Sequence, residues 1–441
     1  MPKPAMWSGL ILSLCPVIYA RKRLTDSISR EFLAVFRKNG DNLMFGIRNT
    51  LRVILYFSLC LFLSSCASTE IKNINAHDSL EKYEDEARLW KRAEEFEEIL
   101  QASGFLYPDE QLIRYVNDVL EKVMGSAVLP TDNYRLKAYV INDPLFNAFC
   151  LPNGSIYIHT SIIANLENEA QLATILGHEA THFLHRHALK EFRSLINKSA
   201  LMSSLQVTFG AASGVVGVSA DLAGLLTQFC VVGSFYGYSR DIEREADKRA
   251  FELMTQAGYD PHEAKRVMEN MYEAIKDEKV KVPYLYHTHP KTKERIKNYE
   301  AFIEEYLKTN PAKNEGLRNT EKYNAMTKNL LLDNTELTMK RDSVKVARRQ
   351  IERYCKIYPE DFKCLYLSGK LYMQEGNQEK AESEFQKSLA LNPEFPESYK
   401  EIGLLYYKKK EKEKSDAAFK KYLQLKPEAK DAEYIRGYLH E

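Results

Sequence analysis

The residues with the clearest chemical potential lie in the stretch 172–187, LATILGHEATHFLHRH, which contains the pattern HExxH. Residues four apart on a helix share one face, so His178 and His182 can bind one metal ion side by side. Glu179 lies about 100° further around the helix, beside the ion. Two neutral imidazoles and an open position suit a catalytic zinc, and Glu179 can take a proton from water there. The sequence therefore predicts one Zn²⁺ per chain.

A third protein ligand is expected in the run 239–247, SRDIEREAD. Glu243 and Asp247 are four apart, so a second helix places both on one face. Glu243 can complete the metal site, and Asp247 can accept a hydrogen bond from a ligand imidazole. His185 fits less well, because about 10 Å of helical rise separates it from residue 178. We assign His185 and His187 to structure, and a charged, solvated helix is the alternative for this run.

Four motifs in the right order make residues 135–300 resemble the HtpX and CAAX-protease class of gluzincin zinc metallopeptidases. They are NAFCLPNG at 147–154, GHEATH at 177–182, SRDIEREAD at 239–247 and HTHPKTKER at 287–295. The resemblance implies a zinc endopeptidase in which Glu243, rather than Glu245, is the third ligand. It also implies a mainly helical, zincin-type domain with a small sheet.

A β-hairpin is predicted just before the metal helix, because a Pro-Asn-Gly turn separates two β-rich runs. The hairpin can be ordinary core, or its edge can bind an extended peptide by strand addition. The resemblance implies the second role, with Asn147, Leu151 and Gly154 as the substrate-binding residues. Asn153 stands where the family has a glycine.

His289 and Arg295 lie in the fourth motif and are predicted to take part in catalysis. The imidazole of His289 could stabilise the oxyanion of the tetrahedral intermediate, with Arg295 positioning it or sharing the charge. It could instead occupy the open zinc position and gate the resting site. A polar surface loop is the alternative for both residues.

The first 66 residues contain a predicted membrane-targeting segment. A basic stretch after Met44 and an apolar run at 53–63 precede Leu-Ser-Ser-Cys, which resembles a bacterial lipoprotein signal peptide ending before Cys66. Lipidated Cys66 would anchor the protein at the periplasmic face, with Ala67 resembling an outer-membrane address. A transmembrane anchor is the alternative. The glycine-rich apolar stretch 201–237 is read as buried helix and flap, or as a membrane-touching loop.

Self-similarity at 34 residues marks the C-terminal part. Pro359, Pro393 and Pro427 follow this spacing, as do Gly369 and Gly403. This is the period of tetratricopeptide repeats, whose helix pairs stack into a solenoid with a concave surface for partner proteins. A rigid spacer is the alternative. An earlier, degenerate repeat is expected around residue 347.

Composition bounds the remaining possibilities. The 62 basic and 61 acidic residues give no signal for nucleic acid, so no nucleic-acid partner is predicted. Of the seven cysteines, none forms a CxxC pair, which argues against a cysteine metal site. Cys150, Cys230, Cys355 and Cys364 allow three full pairings, among which Cys355–Cys364 joins neighbouring repeat helices.

The predicted fold is α+β, a mainly helical metallopeptidase domain followed by an α-solenoid. The predicted boundaries are an upstream extension at 1–43, a signal peptide at 44–65, the peptidase at 66–315, a linker at 316–324 and repeats at 325–441. The predicted activity is zinc-dependent peptide hydrolysis. The resemblance implies misfolded or stalled envelope proteins as substrates, with the repeats docking substrate or partner. The rival is a repeat-based chaperone or outer-membrane assembly factor with a largely latent metal site.

Overall fold

The computed structural model describes residues 71–74, 82–125, 136–194, 238–275, 292–341 and 343–440. The predicted extension, the signal peptide with Cys66, the apolar stretch 201–237 and His289 all lie outside these residues. Within the described ranges, no helix is both long enough and apolar enough to cross a membrane.

Helices surround a small sheet in the first part of the described chain. In order, the elements are α1 (Glu84–Ala102), α2 (Glu110–Met124), β1 (Lys137–Ile141), β2 (Ala148–Cys150), β3 (Ser155–His159), α3 (Thr160–Asn165), α4 (Glu169–Leu184), α5 (Arg240–Gln256), α6 (His262–Ile275) and α7 (Thr292–Thr309). A 3₁₀ turn at Pro311–Lys313 follows.

The sheet has the order β1–β3–β2, with β1 parallel and β2 antiparallel to β3. The predicted hairpin is confirmed as β2 and β3, and the turn between them spans residues 151–154. Gly154 adopts φ 93°, a left-handed conformation that glycine reaches without steric cost. The edge strand of the described sheet on the hairpin side is therefore β2.

Helix α4 is the centre of the first part, since every one of its residues is buried. Asn168 caps its N-terminus by accepting a hydrogen bond from the backbone N–H of Gln171. Gly177 allows α4 and α5 to cross closely, because a Cβ there would lie 3.3 Å from Cα of Ala250. This close crossing sets the distance between the two predicted metal-binding motifs.

Helix pairs follow one another in the C-terminal part. Their bounds are α8 (Thr320–Lys340), α9 (Val344–Ile357), α10 (Phe362–Gln374), α11 (Gln378–Leu391), α12 (Pro396–Lys408), α13 (Lys412–Leu425) and α14 (Ala432–Arg436). The predicted repeat register is confirmed, because α10 and α12 start 34 residues apart, as do α11 and α13. The structure also joins Cys355 to Cys364 in a disulfide.

Residues 316–324 were predicted to be a linker, but in the structure their backbone runs close to Tyr259 and Asp260. Leu317 bridges to Tyr259, and a Cβ on Gly316 would lie 2.5 Å from the backbone N of Asp260. Helix α8 already begins at Thr320. The polar composition that suggested a tether instead serves hydrogen bonds, such as the one from the Asn319 amide to Glu169. The overall prediction of a mainly helical α+β part followed by repeats is confirmed.

Candidate metal centre

Helices α4 and α5 bring three metal-binding side chains to one buried point. Nε2 of His178 lies 3.1 Å from Nε2 of His182. Oε2 of Glu243 lies 3.6 Å from Nε2 of His178, and Oε1 of Glu243 lies 3.6 Å from Nε2 of His182. Each of the three side chains is at most 3% exposed. The HExxH helix and the ExxAD helix therefore meet through the residues that the sequence singled out.

The donor set and its spacing fit zinc. Four tetrahedral ligands at 2.0–2.2 Å from Zn²⁺ lie roughly 3.3–3.5 Å from one another. The two histidine nitrogens are 3.1 Å apart, and each has one oxygen of Glu243 at 3.6 Å, so the distances lie close to that value. Two imidazole nitrogens and one carboxylate form the protein ligand set of many catalytic zinc sites and leave one position for water or substrate.

Asp247 lies behind His178, one helical turn along α5 from Glu243. Its Oδ1 is 3.0 Å from Nδ1 of His178, so with Nε2 turned to the metal position, Nδ1–H can donate to this carboxylate. Burial opposes ionisation of Asp247, but the charge of Arg295 and the hydrogen bond from His178 hold its pKa below the usual value. The Tyr299 hydroxyl donates a further hydrogen bond at 3.0 Å.

Arg295 is buried against the same carboxylates. Its Nε and Nη2 donate to Asp247 at 2.9 and 2.7 Å, and its Nη1 lies 3.6 Å from Glu243. The guanidinium therefore sits behind the ligands, where it offsets the charge of two acidic side chains. The prediction that Arg295 positions His289 or shares the oxyanion charge stays a prediction. His289 lies outside the described residues, so its two alternative roles stay predictions.

His182 is enclosed by two further rings. Tyr238 stacks on its imidazole with ring centres 4.0 Å apart and planes 14° apart. On another side, Nδ1 of His187 lies 2.9 Å from Nδ1 of His182. His187 in turn faces Glu245, whose carboxylate also contacts His185. A hydrogen bond from His187 and the nearby imidazoles lower the pKa of Glu245 to about 2.

Sequence reasoning assigned His187 a structural role and set Glu245 aside. The signal that could have found them is the second histidine pair, His185 and His187, together with Glu245 two residues before Asp247. The sequence pattern alone could not connect His187 and Glu245 with the metal site, because an unbroken helix would place His187 away from His182. Their meeting depends on where α4 ends.

Glu179 is buried next to the candidate metal position, on the face of α4 that the sequence predicted. Burial, together with the negative charge of Glu179, raises the pKa of the Cys150 thiol well above its usual value. The same carboxylate contributes to the raised pKa of Tyr238. Glu179 therefore lies within electrostatic range of Cys150, the last residue of β2, and of Tyr238, which stacks on His182.

The register of the hairpin identifies which backbone groups of β2 face away from β3. The carbonyl of Asn147 accepts from His159 N–H, and Leu151 N–H donates to Ser155. Alternate residues of a strand direct their backbone groups to opposite edges, so those of Ala148 and Cys150 face the outer edge. The substrate-binding role of Asn147, Leu151 and Gly154 stays a prediction, and in the structure Asn147 and Leu151 direct hydrogen-bonding groups to β3.

The comparison with protein families agrees with this geometry. The profile of peptidase family M48 matches residues 110–303, which include both metal-binding motifs. Two tetratricopeptide repeat profiles match residues 369–410 and 396–428, which run from the middle of α10 through α13. The predicted combination of a gluzincin-type peptidase with repeats is confirmed by these matches.

Two relatives illustrate the range of similar proteins. The chain is 33% identical over 192 residues to mitochondrial metalloendopeptidase OMA1 of Schizosaccharomyces pombe, a match that covers 43% of this chain and 53% of that protein. It is 25% identical over 206 residues to the beta-barrel assembly-enhancing protease of Yersinia pestis, covering 45% of this chain and 40% of that protein. The matches thus span about half of these relatives or less. The chain contains a peptidase family M48 domain followed by tetratricopeptide repeats.

Proposed function

We propose that this protein is a zinc-dependent endopeptidase with His178, His182 and Glu243 as ligands and Glu179 as general base. The observation that carries the proposal is the convergence of the three ligand atoms, with Glu179 one position along α4 from the first histidine. The matched peptidase family supports the reaction class.

The chemistry follows from the position of Glu179. Zinc held at this site would supply a Lewis acid that polarises a carbonyl and lowers the pKa of water. Glu179 accepts a proton from the attacking water as the new C–O bond forms. It then gives that proton to the amide nitrogen as the C–N bond breaks. The products are a carboxylic acid and an amine, which become a carboxylate and an ammonium group when the acid proton moves to the amine. Arg295 and Asp247 keep the ligand side chains in place during both steps.

The outer edge of β2 is the surface that we propose for the substrate. Ala148 and Cys150 direct backbone donors and acceptors to this edge, and Glu179 lies near its end. An extended peptide that adds to the edge would be held by main-chain hydrogen bonds, which depend on an extended backbone and not on the side chains. This mode favours unfolded proteins as substrates, because folded ones offer no free extended segment.

The repeats and the N-terminus suggest where the protein works. We propose that the concave repeat surface docks substrates or partner proteins, and that Cys66 carries the lipid that anchors the chain to a bacterial outer membrane. The support is the Leu-Ser-Ser-Cys sequence and the name of the Yersinia pestis relative, which refers to β-barrel assembly. Misfolded or stalled envelope proteins are the substrate class that fits both.

The experiment that tests the activity is the Glu179→Gln substitution, assayed for cleavage of an unfolded protein. We expect turnover to fall by about 10²–10⁴-fold, because the amide cannot take the proton, while zinc stays bound. Glu252→Gln is the matched control, since this half-exposed carboxylate lies on α5 and pairs with Arg249. Cleavage by the control should equal that of the wild type.

The assembly-factor alternative makes the opposite prediction for the same variant. If the repeats carry the function, Glu179→Gln should support the assembly of outer-membrane proteins as well as the wild type does. Full complementation in cells, combined with undiminished cleavage in vitro, would contradict the proposed function.

A further inference from the structure

We propose that His187 is a positioning residue for the metal ligand His182, to which it is hydrogen-bonded, with Glu245 on its far side. The inference rests on the metal site proposed above. Nδ1 of His187 lies 2.9 Å from Nδ1 of His182, and both rings are buried. On its far side, Nε2 of His187 lies 3.5 Å from Oε2 of Glu245, close enough for an electrostatic contact but too far for an ordinary hydrogen bond.

Proton counting fixes the direction of the hydrogen bond. Nε2 of His182 faces the other two ligands, so this nitrogen must offer its lone pair to the metal. A neutral imidazole then carries its proton on Nδ1 and donates it to Nδ1 of His187. His187, also neutral, must therefore carry its own proton on Nε2, the nitrogen that lies 3.5 Å from the Glu245 carboxylate. Each of these nitrogens has one role.

The two ligand histidines thus have matched support from one helix. Asp247 accepts from His178 directly, at 3.0 Å. Glu245 is two residues earlier on α5 and therefore lies about 200° away around that helix, out of line with the face that carries Asp247. His187 spans the gap between this carboxylate and His182. Hydrogen bonds of this kind fix the orientation of a metal-binding imidazole and raise its basicity.

The end of α4 is what brings His187 to this position. The helix stops at Leu184, and Arg186 adopts φ 53°, a left-handed conformation that is uncommon outside glycine. The Arg186 guanidinium is held by the Glu86 carboxylate at 3.0 Å and by the Lys72 carbonyl at 3.1 Å. The chain becomes helical again at residue 187 with the imidazole turned back to His182.

A second cation site is the competing interpretation of the same residues. The ligand atoms of His185, His187 and Glu245 lie within 4.8 Å of one another. However, with a metal on His182, Nε2 of His187 holds a proton and has no lone pair to offer. The two sites cannot both bind a metal ion, because they require different tautomers of His187. We infer that the second cluster supports the metal site at His182.

The test is the zinc affinity of His187 variants, measured by competition with a chelator of known affinity. We expect His187→Leu to weaken zinc binding by about 10–100-fold, the usual effect of losing such a partner. His187→Asn should recover most of the affinity, because its side-chain oxygen can accept the proton of His182 in place of Nδ1. Glu252→Gln is the control and should bind as the wild type does, with one zinc per chain in each protein.

The outcomes separate this inference from the function on which it rests. Wild-type affinity in a folded His187→Leu protein would overturn the positioning role, as would equal weakening by Leu and Asn. Two zinc ions in the wild type, one of them lost in His185→Ala, would establish the second cation site instead. A wild type that binds no zinc would overturn the proposed function itself. Circular dichroism and the unfolding midpoint show whether each variant folds.

Discussion

At the scale of single residues, the centre is held together by buried charges that compensate one another. Asp247 and Arg295 are fully enclosed, and their two hydrogen bonds join a carboxylate to a planar guanidinium. An isolated charge in this position would be strongly unfavourable, whereas a paired one is tolerated. The positive charge also faces Glu243, so the three acidic and basic groups form one unit behind the ligands.

His159 provides a pH-dependent test of stability away from the metal centre. The side chain is completely buried, and burial lowers its pKa from 6.5 to about 4. Between these values the unfolded chain binds a proton that the folded chain does not, so the free energy of unfolding falls as the pH falls. This contribution reaches about 2 kcal/mol at pH 5.

The prediction is checked by urea unfolding of the wild type and His159→Leu at pH 7.5 and pH 5. The variant should lose roughly 2 kcal/mol less than the wild type on acidification, because it has no imidazole to protonate. Comparing the two proteins cancels the pH dependence of the metal site that both share. An identical loss in both would show that His159 takes up its proton equally well in the folded chain.

Which residues the sequence could identify depends on whether their placement is local. Helical periodicity alone places His178, His182 and Glu179, and it places Glu243 and Asp247 on one face. The contact between His187 and His182 depends on a left-handed residue, Arg186, that no helical period encodes. The contacts of Arg295 depend on how two distant helices pack, so its motif could be found from the sequence but its position could not.

At the scale of elements, the 34-residue spacing predicted the repeats correctly, because residues 34 apart make the same packing contact in successive helix pairs. A Cβ on Gly369 would lie 2.5 Å from the ring of Phe385, and a Cβ on Gly403 would lie 2.5 Å from the ring of Phe419. Each glycine thus allows an aromatic ring of the second helix to rest directly on the backbone of the first. Composition did not reveal that residues 316–324 bond to the first part of the chain, because the hydrogen-bonding partners of these residues lie far away in the sequence.

The repeat packing predicts the effect of adding one methyl group. Gly369→Ala should lower the free energy of unfolding by about 1–3 kcal/mol, since the new Cβ overlaps the buried ring of Phe385. Gly403→Ala should behave in the same way against Phe419. Chemical denaturation followed by circular dichroism measures both changes.

A second substitution serves as the control for this packing. In a Phe385→Leu background, the smaller side chain leaves room for the methyl group, and alanine is the better helix former by about 1 kcal/mol. Gly369→Ala should then cost nothing further. An equal loss in both backgrounds would show that the ring contact is not the cause.

At the scale of the whole molecule, α8 belongs to both parts of the chain. The Tyr323 hydroxyl donates to the carbonyl of Ile163 at 2.6 Å, and Thr160 donates to the Asn334 side chain at 2.8 Å. Tyr323, Thr160 and Asn334 are fully buried. The first repeat-like helix is therefore packed on the peptidase part. This arrangement gives the proposed docking surface a fixed position relative to the metal centre.

The zinc content of the purified protein tests the central claim most directly. Elemental analysis should find one zinc per chain in the wild type and in Glu252→Gln. It should find far less in Glu243→Ala, because removing the carboxylate leaves only two imidazoles to hold the ion. Equal zinc in Glu243→Ala and the wild type, or none in the wild type, would contradict the account.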